Sequence, residues 1–212
     1  MVDKGNAKFD SSQLGKQAFQ LATDLYPFCR SLTGEGVRQT LKSIQRIVPL
    51  EIHEVSSGTT AYDWLVPHEW NVQDAYVKDA QGRRVIDFRA SNLHLVGYSI
   101  PFLGRISRNE LLTHIFTDPA HPDSIPYRHT YYKESWGFCI AHSRLASLSE
   151  EQYEVCVDTS LQPGHLTYGE LVLKGRSEEE VLISTHTCHP SLANDNLSGI
   201  AVAALLARCL MQ

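Results

Sequence analysis

The stretch ISTHTCHPSLANDNLSGI, residues 183–200, gathers His186, Cys188, His189, Asp195 and two asparagines between two apolar runs. Imidazole, carboxylate and thiolate are the side chains that bind zinc and similar divalent ions. A cysteine beside a histidine is also the raw material of a thiol nucleophile. In an extended segment His186 and Cys188 point the same way, roughly 6.5 Å apart. Cys188 and His189 are neighbours and would then face opposite sides, which speaks against a nucleophile pair. Pro190 holds His189 in an extended conformation. Two readings stay open on the residues alone. In one, His186 and Asp195, with His189 or Cys188, ligate a metal. In the other, Asn194, Asp195, Asn196 and Ser198 are turn and N-cap residues and the histidines are incidental.

The flanking segments decide where these groups would sit. VLIS, residues 181–184, is apolar on both faces and predicts a central strand. His186 would then lie at its carboxyl end, the edge where open α/β sheets bind ligands. SGIAVAALLARCLMQ predicts a helix apolar nearly all round, through Ile200, Val202, Ala203, Leu205, Leu206 and Leu210, and so buried against a sheet. Strands are also expected over 50–56 and 167–174. Together these pieces predict an α/β fold, the edge of a three-layer α/β/α sheet.

Upstream, residues 1–10 read as a frayed tail. Helical spacing of Leu14, Phe19, Leu21, Ala22, Leu25 and Phe28 predicts a first helix. A second begins around residues 33–36 and buries Val37, Leu41, Ile44 and Ile47. Residues 59–160 read as a β-rich unit inserted between the first and second core strands. DAYVK and RRVIDF flank a DAQG turn as a hairpin. SRNE, residues 107–110, is a capping box that opens a short helix through Ile115. NLHLVGYSI, HTYYKESWGFCIAH and YEVCVDTS read as further strands. The unit gives domain bounds of 1–58 with 161–212 for the core and 59–160 for the insertion.

Net charge is −5 with no basic patch, which argues against a nucleic-acid partner. No apolar run is long enough to span a bilayer, so no membrane partner is expected. The first ten residues lack a signal-peptide core, and a cytoplasmic location is the expectation. Five scattered cysteines fit free thiols in a reducing compartment. Trp64, Trp70, Trp136, Tyr131 and Tyr132 either line a cleft between insertion and core or simply pack the β unit. Arg128, His129, Lys133 and Glu134 lie on a long loop that could carry binding groups. The remaining histidines have no spacing that implies a metal.

HTCHPSLANDNLSG after VLIST resembles the metal motif of the two-zinc exopeptidases of the leucyl-aminopeptidase and glutamate-carboxypeptidase type. LYPFCRSLTGEGVRQTL, LEIHEVSSGT, NLHLVGYS, YYKESWGFC and LTYGELVLKG resemble a bacterial aminopeptidase-like subfamily that carries a β-rich inserted domain. The resemblance covers roughly residues 20–212. It implies His186 as a zinc ligand, Asp195 as the carboxylate bridging two zinc ions, and Asn196 and Gly199 as the residues that turn the chain into the helix. It leaves Cys188, His189 and Asn196 as supporting or accessory groups. The implied substrate is a peptide or small amide hydrolysed at its N-terminal bond.

Two departures from that pattern matter. Cys188 stands where the resembled peptidases carry an aspartate that orients the ligating histidine. The general-base glutamate and the other metal ligands have no counterpart up to Gln212, and they are expected downstream of it, in a missing C-terminal half. The sequence therefore predicts weak binding of one or two divalent ions and little hydrolysis by this chain alone, with a homo-oligomer as an open option. The rival reading is a non-catalytic binding module on a peptidase scaffold with a decayed metal site.

Overall fold

The computed structural model describes residues 11–212, so the tail expected over 1–10 lies outside the described residues. Helix α1, Ser11–Leu25, and helix α2, Glu35–Gln45, form where the apolar spacing predicts them. Strand β1, Glu51–Ser56, follows, and then two short strands, β2, Thr60–Ala61, and β3, Trp64–Leu65, which pair with each other.

The β-rich region is built on β4, Glu69–Lys78, β5, Arg84–Asp87, β6, Phe102–Ser107, and β9, Gln152–Gln162. They form a four-stranded antiparallel sheet in the order β5-β4-β9-β6. Period-two alternation buries one face: Ala75 faces Val157 and Val77 faces Val155, and all four are buried. The turn of the β4–β5 hairpin is held by Asp79, whose carboxylate accepts from the backbone N–H groups of Gln81 and Arg83. Helix α3, Arg108–Thr113, starts at the capping box, with the Glu110 N–H donating to Ser107 Oγ at 3.2 Å. Strands β7, Ile115–Phe116, and β8, Phe138–Cys139, add a short parallel pair.

Apolar burial falls into two clusters. One lies around Trp70, Tyr98, Phe138, Ile140, Tyr153 and Val155. The other joins α1 and α2 to helix α4, Ser198–Leu210, through Leu21, Leu25, Leu41, Ile44, Ile200 and Ala204. Strand β10, His165–Glu170, pairs antiparallel with β1 and lies against α2. The two regions are joined by a partly buried polar clamp. Arg38 of α2 donates to both oxygens of Glu69 at 2.8 and 2.6 Å and to Glu54 of β1 at 2.9 Å. Glu69 also accepts from the His165 N–H at the start of β10 at 3.1 Å. Gly34 makes the approach close. Its φ is +100°, and a Cβ there would strike the Trp70 carbonyl.

Four sequence expectations are corrected. Residues 181–186 form no strand: Val181 and Leu182 are each 90% exposed, and no ladder reaches them. An apolar run becomes a strand only when a neighbour takes its backbone hydrogen bonds, and β1–β10 supplies none beyond Glu170. The described residues are thus a mixture of helices and small sheets. Helix α4 is also not enclosed: it packs on α1 with Ile200, Ala201 and Ala204, while Val202 and Leu210 are exposed. Residues 92–100 are not a regular strand. A 3₁₀ turn at Asn92–His94 leads into irregular backbone whose N–H groups bond to the carbonyls of Gly137, Arg128 and Ser135. In residues 129–142 only Phe138–Cys139 is a strand, and the preceding residues bond instead to the irregular backbone at 97–100, the Thr130 N–H donating to the Gly97 carbonyl at 2.8 Å.

Candidate metal centre

The loop that carries the site is pinned from below by the end of α1. Arg30, 1% exposed, donates from Nε to the His189 carbonyl at 3.0 Å and from Nη1 to the Leu25 carbonyl at 2.6 Å. Ser191 Oγ donates to the Tyr26 carbonyl at 2.8 Å. These bonds fix the backbone on both sides of Pro190. No carboxylate faces the buried guanidinium among the described residues, and burial lowers its pKa to about 10.

On the far side, Ala193–Leu197 makes one wide turn before α4, in which Asp195 (φ −123°, ψ 82°) and Asn196 (φ −146°, ψ 34°) leave helical geometry. The peptide bond between them is cis. Asn196 Nδ2 donates to the His186 carbonyl at 3.0 Å and to the Thr185 hydroxyl. Gly199 permits this: a Cβ there would lie 2.9 Å from Asn196 Cγ and 3.0 Å from Thr185 Oγ1. Asn196 therefore ties the strand-like arm to the turn, which is why His186 and Asp195 meet although nine residues separate them.

They meet closely. His186 Nε2 lies 2.6 Å from Asp195 Oδ1, and His189 Nε2 lies 3.4 Å from Asp195 Oδ2. One carboxylate thus spans two imidazoles whose rings stand 5.1 Å apart at 73°. Cys188 Sγ is 3.8 Å from His189 Nδ1. The expectation that these neighbours face apart is corrected, because the segment is not a pleated strand. Donor atoms of His186, Cys188 and His189 all lie within 4.8 Å of one another. Ligands 2.0–2.3 Å from one zinc ion lie roughly 3–4 Å from each other, so the donor set suits such an ion in kind and would close slightly around it. Burial pushes the Cys188 thiol up, which works against a nucleophile pair.

The β-rich region reaches the same place. The Tyr127 ring lies 5.0 Å from the His189 ring, and the Tyr127 hydroxyl meets the Tyr131 hydroxyl at 2.8 Å. His129 stacks on Tyr131 at 3.8 Å. Burial holds the His129 pKa down, with a smaller contribution from His189. Of the loop residues singled out from the sequence, His129 is therefore beside the centre. Lys133 and Glu134 instead line a separate cavity of about 240 Å³ with Tyr98, Tyr131 and Tyr132. Trp70 and Trp136 are buried packing residues: Trp70 stacks on Tyr98, and Trp136 on Phe102 and His114. His94 and His114 are satisfied by the carbonyls of Cys139 and Trp136. Sequence reasoning missed Arg30 and Tyr127. The unpaired buried arginine gave no signal, and Tyr127 was one aromatic among several in its loop.

Comparison with known proteins places this geometry in context. A Clostridium acetobutylicum protein described as "Putative polysaccharide biosynthesis protein with aminopeptidase-like domain" is 48% identical over 201 residues. The alignment takes in 95% of this chain and 46% of the relative. A crystal structure from Clostridium acetobutylicum, described as a "putative peptidase", superposes with a TM-score of 0.93 at 48% identity, over 94% of this chain and 47% of that one. The chain thus spans about half the length of the relatives it matches. Residues 19–212 match the family model "Domain of unknown function (DUF4910)", and the chain belongs to that family.

Proposed function

We propose that this chain is the metal-binding part of a metal-dependent, aminopeptidase-like hydrolase of N-terminal peptide or related amide bonds, of the two-zinc exopeptidase type. The observation that carries the reading is the Asp195 carboxylate set between two imidazoles, 2.6 Å from His186 and 3.4 Å from His189. The peptidase and aminopeptidase wording of both relatives supports it. In this reading residues 1–58 and 161–212 are the first part of a three-layer core, and 59–160 are the insertion. The two separate apolar clusters are consistent with that division.

His186 and Asp195 would hold zinc, while Asn196 keeps the His186 backbone in place. Bound zinc would lower the pKa of a coordinated water and polarise the scissile carbonyl. Tyr127 walls one side of the centre, with His129 beside it. Among the described residues the group of converging donors contains no glutamate. The reading puts the proton-accepting carboxylate in the part of the relatives' length that this chain does not span. The test is metal content together with hydrolysis of an aminoacyl-anilide, on this chain and on a chain of the relatives' full length. Metal-dependent turnover by the longer chain, lost on His186→Ala, is the expected result. A metal-loaded longer chain that hydrolyses no peptide or amide would favour a binding scaffold instead.

A further inference from the structure

We propose that Cys188 is itself a metal ligand, so that His186, Cys188 and His189 form a three-donor site for one zinc-like ion, with Asp195 closing its outer side. This rests on the metal-dependent reading above and changes its content. The site within this chain would be complete enough to retain an ion, instead of holding only a pair of ligands.

Three observations carry it. First, the three donor atoms fall within 4.8 Å of one another, while the Asp195 oxygens touch both imidazoles. Catalytic zinc sites use three protein ligands and leave a further position open. Second, exposure is graded across the cluster. Cys188 and the His189 side chain, 21% exposed, form its inner side, whereas those of His186 and Asp195 are 52% and 61% exposed. An ion held by the inner pair would keep its outer face open to water and substrate. Third, the backbone around Pro190 is fixed by Arg30 and Ser191, so the Cys188–His189 pair is held in place by bonds that do not involve its own side chains.

The chemistry points the same way. A thiol is a weak acceptor, so Cys188 cannot orient a histidine as a carboxylate would. As a thiolate it is a strong zinc ligand, and a set of two imidazoles and one thiolate disfavours magnesium and calcium. Forming the sulfur–metal bond displaces the thiol proton, which passes to solvent. All five cysteines are free thiols, so Cys188 is not held in a disulfide. Cys139 is buried and Cys29 half-buried, each with its thiol pushed up to about 12 by burial.

The experiment is cobalt(II) titration of the chelator-stripped, reduced 212-residue chain, read by absorbance, with zinc affinity measured in parallel by competition. The proposal expects one cobalt per chain and a near-ultraviolet thiolate-to-cobalt charge-transfer band. Cys188→Ser abolishes the band, while Cys209→Ser leaves it. Changes to groups that merely support a ligand cost 10–100-fold in affinity, so Cys188→Ser and His189→Ala should each weaken zinc by roughly 100-fold or more. Circular dichroism checks that each variant folds, and Cys188→Ala serves as a second sulfur-free variant. Cobalt bound without the band, or a band that persists in both Cys188 variants, overturns the assignment of Cys188 and leaves the hydrolase reading standing. Failure to bind cobalt or zinc at all overturns the three-donor site, and metal content of the longer chain then decides the hydrolase reading.

Discussion

The clamp between Arg38 and Glu69 makes the fold acid-sensitive in a defined window. Arg38 bonds both Glu69 oxygens, and Asn71 and the His165 N–H add to them, so the Glu69 pKa falls from 4.5 to about 2. Tenfold in acidity is about 1.4 kcal/mol, which gives about 3 kcal/mol. Water reaches part of the pair, since the two side chains are 19% and 15% exposed, so about 2–3 kcal/mol is expected. The folded-state pKa is depressed. The stabilisation is therefore fully present above the unfolded value of about 4.5 and is lost as pH falls toward about 2. Glu69→Gln keeps the shape and removes the charge. Urea unfolding followed by tryptophan fluorescence should show the variant less stable than wild type by about 2–3 kcal/mol near pH 7. That difference should fall to less than half near pH 3. Comparing the two proteins cancels acid-labile carboxylates outside the clamp, such as Asp74. A difference that is the same at both pH values would refute the reasoning.

Gly199→Ala should displace the Asn196 carboxamide and release the His186 backbone. Zinc affinity is expected to drop roughly 10–100-fold, with a loss of stability of about 1–3 kcal/mol, read by metal competition and thermal melting. Ser107→Ala should cost about 1 kcal/mol in urea unfolding by uncapping α3, with zinc affinity unchanged. Tyr127→Phe removes the hydroxyl contact to Tyr131 but keeps the ring beside His189. It should leave zinc stoichiometry unchanged and cost about 0.5–1.5 kcal/mol of stability.

Where a segment satisfied its own hydrogen bonds or paired with a near neighbour, the sequence sufficed to place it. The helices α1 and α2, the β4–β5 hairpin and the α3 capping box are of this kind, because periodicity and cap chemistry act locally. Residues 181–186 were not legible in the same way. Their apolar character is that of a central strand, but a strand depends on partners, and none of the described strands pairs with them. Residues 92–100 alternate like a strand yet spend their hydrogen bonds on a loop some thirty to forty residues later. The same distinction runs through the site. His186 and Asp195 stood out by residue type and by their position before α4, and the resemblance alone chose the metal reading over the turn reading. The approach of Cys188 to His189 was not, because the pleated geometry assumed for neighbours fails in an irregular loop. Arg30 and Tyr127 reach the centre by tertiary packing alone.

The central claim is that the loop between residues 186 and 195 holds a divalent metal. Zinc content of the purified 212-residue chain after exhaustive dialysis, measured beside His186→Ala and Asp195→Asn, tests it most directly. The account expects about one zinc per wild-type chain, in line with a site of at least three protein ligands, and a sharp loss in both variants. A metal-free wild type, or zinc retained equally by all three proteins, would contradict it.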